Sequence, residues 1–140
     1  MKKTIKKVVA TVLTTGTLLS MSAFSVLAAG NYKDTYFSNF TITASTKYTT
    51  TRPKLDATSA TVKLSKAASP VVVRVYGLKT STGAKYDRTY GTPKVVGVTS
   101  YYNYLPNLVN ERNDSWACLG FTRSGIANTV ISGAWSPDSI

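Results

Sequence analysis

The sequence predicts an all-β fold: a small antiparallel β-sandwich, or a partly open barrel, of about 6–8 strands that follows a cleaved signal peptide. Three observations predict this fold. Apolar and polar residues alternate in several short segments, turn-forming residues separate these segments, and the chain after residue 28 shows no helical periodicity. Alternation with a period of two places one set of side chains on the buried face of a sheet.

The start of the chain has the features of a secretory signal peptide. Four of the first seven residues are lysines, an apolar stretch follows, and compact residues precede Ala28. This order of charged, apolar and cleavage regions is typical of secretory signals. A transmembrane anchor needs roughly 20 consecutive apolar residues, whereas threonines and serines interrupt this stretch. Cleavage is predicted after Ala28 or, alternatively, after Ala29.

We therefore expect a signal peptide over residues 1–28 and a single β-sandwich domain over residues 29–140. The mature chain is expected to be a monomer without an integral membrane segment, either extracellular or loosely associated with the cell wall. Its single cysteine, Cys118, excludes an intramolecular disulfide, so folding depends on packing alone. These features fit an exported protein of a Gram-positive bacterium.

Three strands are predicted in the first half of the mature chain. Each shows a period of two, which assigns alternate residues to one face. The residues predicted to share a face are Tyr36, Ser38, Phe40 and Ile42 in the first strand, Ala60, Val62 and Leu64 in the second, and Val71, Val73 and Val75 in the third. Pro70 has no N–H for a β-ladder, so it marks the start of the third strand.

Shorter elements are predicted in the middle of the chain. Residues 79–87 are rich in turn formers, and a short strand is expected over 85–89. Residues 94–105 are predicted to form one bent strand or two, with Gly97 as a candidate bulge. Residues 106–114 are predicted to be a polar loop, with a short helical turn as the alternative.

The last two predicted strands span residues 116–123 and 129–136. Gly125 lies between them and suits a hairpin connection. Trp135 falls on the apolar face of the final strand, so it is expected to be buried, although a recognition role for the tail is the alternative. The strand is expected to end before Pro137, which cannot donate a hydrogen bond, and the last few residues are expected to be loose.

The charge of the mature chain is one-sided. Seventeen basic residues less the four lysines of the signal segment leave 13 cations against 6 acids, a net charge of +7. Lys47, Arg52 and Lys54 form the densest cationic group and are the candidates for contact with an anionic surface. A solvated surface is the structural explanation, and attraction to anionic envelope polymers is the functional one. No nucleic-acid-binding motif is present, so no nucleic acid partner is expected.

The segment SYYNYL at 100–105 is the strongest candidate for ligand binding. Tyr102 and Tyr104 are predicted to share one face of a strand, while Tyr101 takes the other. Exposed tyrosines offer ring surface for stacking and hydroxyls for hydrogen bonding, which suits sugars and peptides. The structural alternative is that tyrosine is a favourable strand residue. Tyr101, Tyr102 and Tyr104 are therefore the predicted ligand-binding residues.

The composition excludes most catalytic chemistry. The chain has no histidine, which removes Ser-His-Asp and Cys-His activation and the usual zinc ligand sets. The acids are scattered, without the spacing of a calcium loop. Glu111 and Asp114 are the remaining candidate for a hydrolytic pair, but solvated loop charges beside Arg112 are the preferred explanation. No catalytic residue, metal or cofactor is predicted.

Three segments carry a resemblance: TTTRPKLDATSATVKLS, YNYLPNLVNERNDSWACLGF and SGAWSPDS. They resemble a family of small secreted Gram-positive proteins catalogued as a domain of unknown function, and the closing W-S-P-D-S is the most specific part. No active site is established for that family, so the resemblance implies no catalytic residue. The chain is also similar, more weakly, to lactococcin-type bacteriocins, which are secreted, cysteine-poor β-sandwiches.

Together these observations favour a secreted, non-catalytic β-domain that binds or interacts at the bacterial cell envelope. Anionic cell-wall polymers or surface glycans are the expected partners. Two other functions stay open at this point: a bacteriocin-like antimicrobial or toxin factor, and a hydrolase of wall polymers.

Overall fold

The computed structural model describes residues 30–140, so the predicted signal peptide and its cleavage site lie outside the described residues. Over this range the chain forms ten strands and one short 3-10 helix, with no α-helix. The strands are β1 (Thr35–Ile42), β2 (Lys47–Tyr48), β3 (Arg52–Pro53), β4 (Ala60–Ala67), β5 (Val71–Leu78), β6 (Tyr86–Asp87), β7 (Lys94–Val96), β8 (Asn103–Leu105), β9 (Trp116–Arg123) and β10 (Thr129–Ser136). The prediction of an all-β fold is confirmed.

The strands form two antiparallel sheets, which confirms the predicted β-sandwich. The small sheet has the order β1-β10-β4-β8. In the large sheet β9 and β5 are central, with β2 and β3 paired to the outer edge of β9 and β6 and β7 paired to β5. The two-residue strands β2 and β3 were not predicted, because two residues are too few to show a period.

The hydrophobic core lies between the sheets and is built from the inward positions of both. Ala60, Val62 and Leu64 of β4 are fully buried, as predicted. The valines at positions 71, 73 and 75 of β5 are no more than 1% exposed, which confirms the predicted alternation there. Burial of branched apolar side chains on both sheets supplies the main favourable term in folding.

The first strand departs from its predicted alternation. Phe37 is 8% exposed and packs in the core, whereas Tyr36, which was predicted to share the buried face, is 80% exposed. A β-bulge lies between Phe37 and Phe40, where Asn39 adopts a left-handed φ of 53°. The bulge shifts the register, so Phe37 and Ile42 both face the core. The prediction for Tyr36 is wrong because a strict period of two does not reveal an extra residue.

The predicted hairpin between the last two strands is also wrong. β9 lies in the large sheet and pairs with β5 along its whole length. β10 lies in the small sheet between β1 and β4. Residues 124–128, including Gly125, therefore cross from one sheet to the other.

Residues 94–105 form two strands in different sheets. β7 pairs with β5 of the large sheet, and β8 pairs with β4 of the small sheet. Gly97 lies in the link between them and is not a bulge. The following polar loop contains the 3-10 helix Asn110–Arg112, in place of a fully irregular loop. Because β8 is the last strand of the small sheet, Tyr104 lies on an edge of that sheet.

The final strand spans Thr129–Ser136 as predicted, and Trp135 is 0% exposed, so the prediction that it is buried is confirmed. The segment after it, residues 137–140, is called the tail below. The prediction that the tail is loose is wrong for Asp138, which is also 0% exposed. Among the four tail residues, only Ile140 is fully exposed.

Candidate functional site

An open groove of about 280 Å³ lies on the outer face of the small sheet. Ser136 of β10, Thr61 of β4 and Tyr104 of β8 stand opposite one another across three strands. Their neighbours along the strands face the core, so these three side chains share the outward face. The groove is lined by Tyr32, Asp34, Thr61, Tyr102, Tyr104, Ser136, Asp138, Ser139 and Ile140.

Hydroxyl contacts hold the floor of the groove. The Oγ1 of Thr61 and the Oγ of Ser136 lie 2.7 Å apart, and both residues are buried. Ser136 Oγ also donates to the carbonyl oxygen of Asp138 at 2.8 Å. The N–H of Ser139 donates to Oγ1 of Thr58 at 2.9 Å. These bonds keep the tail against the sheet, where it forms one wall of the groove.

Tyr102 is held in one orientation. Its hydroxyl donates to the carboxylate of Asp34, and the Lys63 ammonium lies 4.8 Å from its ring centre. The hydrogen bond to Asp34, together with burial and nearby charge, raises the pKa of Tyr102 to about 12. The hydroxyl therefore remains protonated and acts as a donor, and a cation over the ring restricts it further.

Tyr104 differs from Tyr102 because its side chain is 54% exposed. Its neighbours Asn103 and Leu105 are buried, so strand β8 is fixed while the ring of Tyr104 is accessible. Tyr101 is 64% exposed but does not line the groove. Of the three tyrosines predicted to bind a ligand, the structure thus brings Tyr102 and Tyr104 together and leaves Tyr101 outside.

Asp138 forms a buried ion pair behind the groove. The Nζ of Lys54 lies 2.6 Å from Oδ1 of Asp138, and both side chains are 0% exposed. The other oxygen, Oδ2, accepts the N–H groups of Asn31 at 2.6 Å and Leu55 at 3.1 Å. The prediction that Lys54 contacts an anionic surface is therefore wrong, because the ammonium is committed to the interior.

The other two residues of the predicted cationic group have different environments. Arg52 is half-buried, and its guanidinium donates to the carbonyl oxygens of Lys33 and Trp135. Burial lowers the pKa of this guanidinium. Lys47 is exposed, with its ammonium 5.3 Å from the ring centre of Phe40. The three cations therefore do not form one exposed surface.

Glu111 and Asp114 also have different environments. Glu111 is exposed in the 3-10 helix. Asp114 has a fully buried side chain, with Nε of Arg88 at 2.5 Å and Nζ of Lys79 at 3.1 Å. Burial raises the pKa of Asp114, but the hydrogen bonds from Arg88 and Lys79 outweigh it, so the pKa is lowered. Asp114 is a structural anion and not the solvated loop charge that was predicted.

Cys118 is fully buried in β9, and burial raises the pKa of its thiol to about 11. The thiol therefore stays protonated and shielded from solvent. Within residues 30–140, no three acidic or cysteine side chains lie close enough together to hold a metal ion. No helix in the same range is long and apolar enough to cross a membrane.

Of the nine residues that line the groove, seven were not among the predicted ligand-binding residues: Tyr32, Asp34, Thr61, Ser136, Asp138, Ser139 and Ile140. Asp34 meets Tyr102 across 68 positions of sequence. Thr61 and Ser136 meet across 75 positions. The alternation of apolar and polar residues within one segment gives no information on such contacts, because they depend on which strands become neighbours.

Comparison with known protein families gives a match over most of the chain. The model of the family described as "Protein of unknown function (DUF2712)" matches residues 24–139. No curated protein and no solved structure matches the chain significantly. The family match includes all ten strands and every residue that lines the groove except Ile140.

Proposed function

The chain belongs to the DUF2712 family of proteins of unknown function, as its resemblance predicted, and from that premise we propose that it is a secreted, non-catalytic binding protein of the bacterial cell envelope. The groove on the small sheet is the binding site. Its ligands are the hydroxyl-rich glycan chains of the cell wall.

The observation that carries this proposal is the composition of the groove. Tyrosine rings and the tail form its walls, hydroxyl groups form its floor, and the carboxylate of Asp34 accepts the hydroxyl of Tyr102. Sugars have apolar C–H faces that stack on aromatic rings and hydroxyls that bond to carboxylates and to other hydroxyls. Ligand sites in proteins generally combine aromatic surface with a few fixed polar groups in this way.

Hydrogen bonds within the protein fix the walls of the groove. Tyr102 is held by Asp34, and the tail is held by Ser136 and Thr58. A site whose walls are fixed in advance loses less conformational entropy when it binds. This order supports a binding role, because the exposed ring of Tyr104 stands beside walls that need not rearrange.

The charge of the molecule supports its location at the envelope. Lys54 is buried and Arg52 is held by backbone carbonyls, so these two cations do not form an exposed patch. The net charge after residue 28 is +7. Such a charge attracts anionic wall polymers over a long range and is screened by salt. Contacts in the groove are expected to supply the part of binding that resists salt.

The surroundings of Asp114 and Cys118 support the non-catalytic part of the proposal. Asp114 is fixed by two cations, and its lowered pKa makes it a poor general acid. The thiol of Cys118 is buried and protonated. The surroundings of both groups therefore suit a role in the fold and not a role in catalysis.

A pull-down on purified Gram-positive cell walls at high salt tests this function. The change Tyr104→Ala removes the accessible ring and is expected to weaken binding about 3- to 10-fold, which corresponds to the loss of one aromatic contact. Tyr101→Ala is the matched control, because Tyr101 is at least as exposed as Tyr104 but lies outside the groove. Equal weakening by both changes, or no retention of the unaltered protein, would contradict the proposal.

A further inference from the structure

A second cavity adjoins the groove, and Tyr104 lines both. This cleft has a volume of about 240 Å³ and lies between the edge of β5 in the large sheet and β8 in the small sheet. Its bottom is apolar, formed by Val73, Val75 and Leu105, each no more than 4% exposed. Its rim carries the ring of Tyr90, which is 64% exposed.

The cleft exists because β5 is incompletely covered along one edge. β6 and β7 each pair with part of β5 and leave Arg74 and Val75 between them. At this gap the carbonyl oxygen of Val75 accepts the N–H of Arg88 at 2.8 Å. The N–H of Val75 donates to the side-chain Oγ1 of Thr89 at 3.1 Å, where a paired strand would supply a carbonyl. The next residue after Thr89 is tied to the end of β8: the N–H of Tyr90 donates to the carbonyl oxygen of Pro106 at 3.0 Å. Both walls of the cleft are therefore anchored.

We propose that the groove and the cleft are two subsites for one glycan chain, so that the protein recognises a chain of several sugars and not a single sugar. This inference rests on the proposed glycan-binding function. Tyr104 joins the two subsites because it lines both. A chain that stacks on Tyr104 in the groove has the ring of Tyr90 as its next aromatic surface.

The two subsites differ in the chemistry that they offer. The groove offers the carboxylate of Asp34 and hydroxyls, and no cation is among the residues that line it. The carboxylate of Asp138 is buried behind the groove in its pair with Lys54. The cleft has an apolar bottom and one cation, Lys94, on its lining. A chain of N-acetylated sugars fits both, because its hydroxyls suit the groove while its acetamido methyl groups and C–H faces suit the cleft.

Calorimetric titration with a disaccharide and a hexasaccharide of β-1,4-linked N-acetylglucosamine tests this inference. The hexasaccharide is expected to bind about 3- to 10-fold more tightly, since one further aromatic contact is worth roughly that factor. Tyr90→Ala is expected to remove this gain while the affinity for the disaccharide stays unchanged. Tyr104→Ala is expected to weaken the binding of both chains.

The outcomes separate the two proposals. If the two chains bind the unaltered protein equally well and Tyr104→Ala weakens both, the second subsite is refuted and the function of the groove stands. If neither chain binds, both proposals fail. The comparison of chain lengths uses the unaltered protein, so it does not depend on the folding of any variant, and Tyr101→Ala serves as the control for the loss of an exposed tyrosine.

Discussion

The carboxylate of Asp138 meets the ammonium of Lys54 in the interior, where neither side chain reaches solvent. Removing a charge from water is costly, and a buried charge persists only when it is paired and hydrogen-bonded. Two backbone N–H groups complete the surroundings of Asp138. This contact explains why the tail is ordered and why it can serve as a wall of the groove.

The change Asp138→Ala is expected to lower the free energy of unfolding by about 3–5 kcal/mol. It removes the nearest carboxylate of the buried Lys54 ammonium and leaves only Asp56, at 3.9 Å. Urea unfolding followed by tryptophan fluorescence measures this loss. Ile140→Ala is the control, since that side chain is fully exposed, and it is expected to leave stability unchanged. Similar stability of the two variants would mean that the ion pair does not hold the tail.

Asp114 gives the molecule a contact that is sensitive to acid. Burial raises its pKa, but Arg88 and Lys79 outweigh that effect and lower it. The folded protein thus binds this proton less readily than the unfolded chain, in which an aspartate has a pKa of about 3.9. The stabilisation is complete above that value and is lost as the pH falls through the lower pKa of the folded state.

We therefore expect Asp114→Asn to be less stable than the unaltered protein at neutral pH and to lose less stability on acidification. Urea unfolding at about pH 7 and at about pH 3 gives the free energy of unfolding of each protein at both values, and hence how steeply it depends on pH. Asp87→Asn is a suitable comparison, because Asp87 pairs with Arg74 at an exposed site. If the free energy of unfolding of Asp114→Asn depends on pH as steeply as that of the unaltered protein, Asp114 does not carry this pH dependence.

The sequence revealed part of the site at the residue level. Tyr102 and Tyr104 were recognisable because spacing within one segment assigns them to one face. Asp34 was not recognisable, because it reaches Tyr102 from 68 positions away. Lys54 was misinterpreted for a similar reason: its nearest cations are visible in the sequence, whereas its partner Asp138 lies 84 positions further on.

Strand β10 lies inside the small sheet, where it pairs with β1 on one side and β4 on the other. Gly133 lies at the register shift between β10 and β4. A Cβ at this position would come within 2.3 Å of the carbonyl oxygen of Lys63 and 3.1 Å of Cα of Leu64. Both are backbone atoms, so they cannot move aside without distorting the sheet.

Gly133→Ala is therefore expected to lower the free energy of unfolding by about 1–3 kcal/mol, the usual cost of overpacking. Thermal unfolding measures this effect. The matched control is Gly125→Ala in the link between the sheets, where a Cβ meets no atom within 4 Å, and its effect is expected to stay within about 0.5 kcal/mol. Equal melting temperatures for the two variants would contradict the close approach of β10 and β4.

The strands themselves were largely predictable, but their partners were not. Alternation located β4, β5 and β10, because burial on one face imposes a period of two. The hydrogen bonds that pair strands come from the backbone, so the side-chain pattern does not specify the neighbour. For this reason β9 and β10 were wrongly predicted to pair with each other. The face of Tyr36 was wrongly predicted for a related reason. The bulge at Asn39 is a feature of the backbone of β1, and the side-chain pattern does not reveal it.

At the scale of the whole molecule, segments from distant parts of the sequence meet at one end of the sandwich. Asn31, Lys54 and the tail meet at Asp138, and Arg52 donates to the carbonyl oxygen of Trp135 close by. The groove lies where these segments converge on the small sheet. The shape of the groove therefore depends on the complete fold. The net positive charge, in contrast, attracts anionic polymers to the molecule as a whole.

The most direct test of the central claim is an NMR titration of the purified protein with the hexasaccharide, followed through the backbone amide signals. We predict that the shift changes map to Tyr32, Asp34 and Tyr104 in the groove and extend to Tyr90 in the cleft. The large sheet carries another pair of tyrosines, Tyr48 and Tyr76, with rings 5.0 Å apart, and their signals are expected to stay constant. Changes confined to Tyr48 and Tyr76, or no changes at all, would contradict a glycan-binding groove on the small sheet.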